Sequence, residues 1–282
     1  MMPKAFIIVL LSLLCSWPLY ARHYKVHKDL DYVKSSEKDY DAVRHKLDVY
    51  APKEKFATGK VMVFIHGGSW DAGSKKLYKF IGRAFAANGI TTVIINYRLS
   101  PRAKYEGIAY DCARAVAWVK HNIKTYGGNP DEIYVAGHSA GGHLAALIIS
   151  DPSFFDKVGI ANPIKGCILN DPFGLNIYKY LEHGYDGDAT FRITFTNSPV
   201  VWKKASPLLL LQKNNVHYYI LHGGKTYPAV FGDSEDFHKK NIEVGNSSEI
   251  HTVGRKKHIG MVLLFFRKHN KEVKKVIEFI KR

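Results

Sequence analysis

Gly137-His138-Ser139-Ala140-Gly141 stands between an apolar run, Ile133 to Ala136, and a helix-forming stretch, Gly142 to Ser150. A β-strand that passes into a helix through so short a connection must turn sharply, and the residue at the apex is forced into strained backbone. Gly137 and Gly141 remove side chains that would collide in that turn, and Gly142 extends it. The Ser139 hydroxyl is therefore expected to stand above the end of a sheet. An ordinary glycine-rich turn has no need of a serine at its centre.

The same rhythm extends on both sides of this turn. Upstream, Arg44 to Tyr50 alternates like a strand, Lys60 to Ile65 is a compact apolar run, and Ile90 to Tyr97 is rich in β-branched residues. Between them, Leu77 to Ala87 reads as an amphipathic helix ending at Asn88-Gly89, and Tyr110 to Tyr126 as a helix stopped by Gly127-Gly128. Downstream, Ile164 to Asn170, Tyr218 to Leu221 and Glu249 to Val253 are further strand candidates, and a helix closes the chain. Strands alternating with helices at this spacing predict an α/β architecture: a mainly parallel, doubly wound sheet covered on both faces. The stretch 174–213 breaks the rhythm. It is long and rich in aromatics (Tyr178, Tyr180, Tyr185, Phe191, Phe195, Trp202), and it is expected to form a small cap over the carboxyl edge of the sheet.

The chain has 282 residues, 46% of them hydrophobic and 13% aromatic, with no repeat or Pro/Gly/Ser-rich linker, so one domain is expected over 22–282. Residues 1–21 read as a signal peptide: Lys4 supplies positive charge, Ala5 to Leu14 is apolar, and a small-residue exit follows at Ala21. This predicts an exported, periplasmic or extracellular protein. A lipid anchor on Cys15 is the lesser alternative, because Leu14 before it is not small. The remaining cysteines, Cys112 and Cys167, fall in a helical and a strand pattern, and are expected as buried thiols rather than a bridge. The formal net charge is +16, but the basic residues are scattered and no nucleic-acid-binding signature accompanies them. A solvated basic surface is expected, with weak attraction to anionic lipids or acidic polysaccharide, no nucleic-acid partner and no specific membrane partner. The sequence leaves the oligomeric state open.

A serine so placed reads as a nucleophile, and its turn sets Ala140 at the first turn of a helix, where a free N–H faces developing negative charge. Further donors are expected from His66-Gly67-Gly68-Ser69-Trp70, directly after the strand Lys60 to Ile65; Gly68 and Ser69 are the candidates for this oxyanion hole. His66 is expected to orient that loop. Trp70 and His138 are candidates for the substrate pocket.

These segments, with Asn96 to Pro101, Asp111, Trp118 and Tyr126 to Pro130, resemble in order and spacing the esterases related to hormone-sensitive lipase. The most similar branch contains bacterial feruloyl and acetyl-xylan esterases and arylformamidases. The resemblance implies an α/β-hydrolase fold and hydrolysis of a carboxylic ester, a small-molecule or polysaccharide-linked one, without metal or cofactor. In such enzymes the base lies on a loop after the last strand, where His258 stands. The family's acid falls in the loop His222 to Pro228, but that loop holds no carboxylate, and Thr226 occupies the expected position. Three possibilities follow: Asp171, after the strand Ile164 to Asn170; Asp233 or Asp236, further along; or no acid at all, with Thr226 or a carbonyl orienting His258. Without an acid, a ligand-binding protein on a hydrolase scaffold becomes the rival of an esterase.

Overall fold

The computed structural model describes residues 23–184, 188–266 and 270–282; the expected signal peptide lies outside the described residues. The strands are β1 (Tyr24–Asp31), β2 (Lys46–Pro52), β3 (Val61–Ile65), β4 (Thr91–Ile95), β5 (Ile133–His138), β6 (Ile164–Asn170), β7 (His217–Gly223) and β8 (Ser247–Val253). The helices are α1 (Lys79–Ala86), α2 (Tyr105–Asn122), α3 (Ala140–Ser150), α4 (Ser153–Val158), α5 (Ile177–Glu182), α6 (Asp188–Phe195), α7 (Pro199–Lys204), α8 (Pro207–Leu210), α9 (Pro228–Glu243), α10 (His258–Leu263) and α11 (Lys271–Lys281).

Successive side chains of a strand face opposite ways, so strands buried on both faces must be apolar throughout. β3 is Val-Met-Val-Phe-Ile, all buried. Its Val61, Val63 and Ile65 join a core with Ile108 and Val116 of α2 and Leu144 and Leu147 of α3. Met62 and Phe64 join a second core with Ile81 and Phe85 of α1 and Val276 and Ile280 of α11. The sheet has eight strands in the order β1-β2-β4-β3-β5-β6-β7-β8. β2 pairs antiparallel with β1 and β4, and every pair from β4 to β8 is parallel. The mainly parallel, doubly wound arrangement expected from the sequence is therefore observed.

Among the departures from the sequence reading are β1 and the start of α2. β1 has no counterpart there: it is an edge strand whose residues are half-buried or exposed, so it carries no apolar face to recognise. α2 starts at Tyr105 rather than Tyr110, with Glu106 in its first turn, where a carboxylate favours the helix dipole. Cys112 and Cys167 are free and buried. The stretch 174–213 holds α5 to α8.

The sheet order reverses at β3, which lies between β4 and β5, and the carboxyl ends flanking such a reversal open into a crevice. Register then fixes what meets there. Ile65 pairs with Gly137, His138 with Asn170, and Asn170 with Leu221, so the loops leaving β3, β5, β6 and β7 start side by side.

Candidate active site

Ser139 sits between β5 and α3 with φ 55° and ψ −124°, backbone that an L-residue rarely adopts. The turn closes because its glycines lack side chains: a Cβ on Gly137 would lie 2.2 Å from the Gly141 carbonyl oxygen, and one on Gly141 would lie 2.1 Å from that of Ile65. The Ser139 Oγ is 2.8 Å from His258 Nε2. On the far side of the ring, His258 Nδ1 donates to Asp171 Oδ2 at 2.6 Å. That bond fixes the tautomer, leaving the Nε2 lone pair facing the Ser139 hydroxyl.

Of the three carboxylates considered, Asp171 is the one that meets His258. It follows β6 in left-handed backbone, φ 51°, and is fully buried. A buried carboxylate must be satisfied on several lone pairs. The Gly223 N–H donates to Oδ1 at 2.7 Å, and the Thr226 hydroxyl donates to Oδ2 at 2.5 Å. Thr226, at the position where the resemblance places the acid, thus donates to a carboxylate that comes from the neighbouring strand. Asp233 and Asp236 take no part in this arrangement. Asp233 is buried on α9, where burial raises its carboxyl to about 6, and it accepts the Asn176 N–H at 3.2 Å. Asp236 is exposed and faces Lys179 at 3.7 Å.

The loop after β3 takes consecutive positive φ values, 128° at Gly68, 50° at Ser69 and 63° at Trp70. Gly68, Ser69 and Ala140 border the same cleft as Ser139. Their N–H groups make no backbone hydrogen bond among the described residues, which leaves them available to an oxyanion. The loop is held from behind. The Tyr97 hydroxyl donates to the His66 carbonyl at 2.8 Å, and the Ser100 N–H to the Trp70 carbonyl at 3.0 Å. The His66 ring stacks on Tyr97 with centroids 4.2 Å apart, and burial drives its pKa down to about 4, so it stays neutral. Trp70 Nε1 donates to His143 Nδ1 at 3.1 Å, and His143 Nε2 donates to the Ala205 carbonyl at 2.8 Å. One neutral imidazole therefore ties the oxyanion loop, α3 and the cap segment together.

His138 lies beneath His258. Its Nε2 donates to the His258 carbonyl at 3.2 Å and its ring packs on the His258 ring at 4.8 Å. Burial and the neighbouring His258 push it down to about 4. Above Ser139 opens a cleft of about 780 Å³, bordered by Trp70 and His138 and by Tyr78, Phe173, Tyr180, Phe191, Tyr227 and Ile259. Among the described residues, no Asp, Glu, Lys or Arg lines it. Of the cap aromatics, Tyr180 and Phe191 reach the cleft, whereas Phe195 and Trp202 are buried in the core, and Tyr185 lies outside the described residues. Phe173, Tyr227 and Ile259 had no signal in the sequence beyond following strand ends, and Tyr78 had none. Among the described residues no cluster of three or more His, Cys, Asp and Glu is placed to hold a metal ion.

A mainly parallel sheet with a strained serine elbow at its centre defines the α/β-hydrolase fold, and the chain resembles the esterases built on it. Residues 47–157 match the BD-FAE family model. A probable isoprenylcysteine alpha-carbonyl methylesterase of Oryza sativa subsp. japonica is 26% identical over 78% of this chain and 55% of its own length. Esterase LipQ of Mycobacterium tuberculosis is 33% identical over 58% of this chain and 41% of its own. The chain thus spans about half the length of the curated relatives it matches. Among solved structures, a truncated carbohydrate esterase from gut microbiota superposes with a TM-score of 0.77 at 19% identity, covering 93% of this chain and 98% of that one. Esterase B from Lactobacillus rhamnosis superposes with a TM-score of 0.75 at 17% identity, covering 99% and 97%.

Proposed function

We propose that the protein is an exported serine hydrolase that cleaves a carboxylic ester through a Ser139 acyl-enzyme. The observation that carries this reading is the hydrogen-bonded line Ser139–His258–Asp171, with spacings of 2.8 and 2.6 Å. Ser139 Oγ attacks the carbonyl carbon while His258 Nε2 takes its proton. The oxygen that gains negative charge turns toward the Gly68, Ser69 and Ala140 N–H groups. Asp171 holds the imidazole and balances its charge as it becomes imidazolium. Collapse expels the alcohol, which receives the proton from Nε2. Water, activated by the same nitrogen, then releases the acid and restores Ser139.

The described lining of the cleft, aromatic and without Asp, Glu, Lys or Arg, supports an ester without charge near the scissile bond: a small acyl or aryl ester, including one carried on a polysaccharide. The names of the relatives, esterases acting on differing esters, support the reaction class and leave the alcohol open. Export rests on the apolar run after Lys4 and the exit after Ala21. A ligand-binding role would follow from a missing acid, and the carboxylate beside His258 supports the hydrolase reading over it.

A fluorophosphonate probe should label Ser139, and Ser139→Ala should abolish both labelling and turnover of p-nitrophenyl acetate. An unlabelled serine at high probe concentration, in protein that remains folded, would sink the reading. For export, the protein recovered from a bacterial periplasm should begin at Arg22 by mass spectrometry. Retention in the cytoplasm with residues 1–21 intact would count against it.

A further inference from the structure

Around the mouth of the cleft, large apolar side chains lie in water. Leu77 is 66% exposed, Tyr227 54%, Phe231 44%, Ile259 61%, Leu263 48% and Phe266 59%. Ring contacts and chain adjacency link them. Tyr227 and Ile259 line the cleft itself. Ile259, Leu263 and Phe266 recur at helical spacing along α10 and the turn after it, so they share one side. Phe266 stacks on Phe80 at 3.8 Å, and Phe80 meets Tyr78 at 6.3 Å, beside Leu77 and again at the cleft. Phe231 is one turn beyond Tyr227 on α9. An apolar rim of this kind around a binding cleft marks an interaction face rather than scattered surface residues.

Charge indicates what covers it. Lys76 and Lys79 flank Leu77, and Lys225, Arg255, Lys256 and Lys257 occupy the loops before α9 and α10, all of them exposed. Those two loops are joined, the Lys225 N–H donating to the Lys256 carbonyl at 2.9 Å. None of these cations is in ion-pair contact with a carboxylate among the described residues. Apolar side chains ringed by exposed cations match a bilayer whose headgroups are anionic and whose interior is hydrocarbon. No helix among the described residues is long and apolar enough to cross a membrane, so the fit is to lying on a surface.

We propose that this rim docks the protein on an anionic lipid bilayer, with the cleft mouth facing the membrane. The sequence reading expects no specific membrane partner, because along the chain these residues are scattered and only the fold gathers them. The inference does not depend on the esterase reading, and binding is measured on the Ser139→Ala protein so that hydrolysis plays no part.

The test is cosedimentation with vesicles of phosphatidylglycerol and phosphatidylcholine, against vesicles of phosphatidylcholine alone. All proteins are taken as processed by one expression host, so the N-terminal segment is common to them. Binding to the anionic vesicles should be favoured and should weaken with salt. Leu77→Asp with Leu263→Asp, and separately Arg255→Glu with Lys256→Glu, should each lower it at least roughly tenfold. The same pairs of substitutions on an intact Ser139 should leave p-nitrophenyl acetate turnover within about twofold, which shows that the fold survives. Equal binding to both vesicle types, or variants that bind like the parent, would overturn the proposal. So would a parent that ignores vesicles but dimerises, with Leu77→Asp and Leu263→Asp giving a monomer, because a second copy would then own the face.

Discussion

Asp171 shows how one side chain can serve a site from an unexpected strand. In the proposed mechanism His258 needs a carboxylate at Nδ1, and Asp171 meets it there from the end of β6 while Thr226 donates to the same oxygen from the loop after β7. Asp171→Asn keeps the shape but can no longer stabilise an imidazolium, so turnover of p-nitrophenyl acetate should fall by about four orders of magnitude. Unchanged turnover would remove Asp171 from the proposed mechanism. Thr226 touches no reacting atom, and its effect should be smaller. Thr226→Val removes a hydrogen bond to a charged acceptor, and should lower kcat roughly ten- to a hundredfold with KM little changed, whereas Thr226→Ser should recover most of it. A Val variant with full kcat would reduce Thr226 to packing. Asp171 was among the candidates legible in the sequence, since it follows an apolar strand. The partnership with Thr226 was not, because it depends on β6 and β7 being neighbours.

The elbow is a property of two elements and the backbone between them. β5 and α3 can approach only because Gly137 and Gly141 admit carbonyl oxygens where a Cβ would stand. Gly137→Ala and Gly141→Ala should therefore displace the strand–helix junction, costing about 3 kcal/mol or more and lowering Tm by roughly 10 °C. A thermal scan showing either variant within a degree or two of the parent would refute this account. At this scale the sequence is most informative: a run of apolar residues, a glycine-flanked serine and a helix-forming stretch are local patterns. β1 and the start of α2 were less legible. An edge strand has no buried face to impose a pattern, and a helix start depends on what precedes it.

Three buried histidines set the behaviour of the whole molecule in acid. His66, His138 and His143 are each pushed down to about 4, chiefly by burial, against 6.5 in an unfolded chain. Between those values the unfolded chain binds protons that the folded one refuses. Stability is then fully present above about 6.5 and is lost as pH falls toward about 4. Asp233 acts in the opposite sense: its carboxyl is raised from 3.8 to about 6, so its contribution is lost as pH rises through 6. The histidines outnumber it, so the urea midpoint should drop steadily from pH 7 to pH 4.5. A midpoint that is flat or rising over that interval would show that these rings are not held neutral.

The order of strands and helices, the strained serine and the loop rich in glycine after β3 follow from periodicity and local backbone chemistry, which act between residues close in the chain. The choice of acid, the lining of the cleft and the gathering of cations and apolar residues at its mouth do not. They arise because a parallel sheet places side by side the carboxyl ends of strands far apart in sequence: 119 positions separate Ser139 from His258, and 87 separate Asp171 from His258. Contacts over that span depend on strand order and register, which no short stretch of sequence encodes.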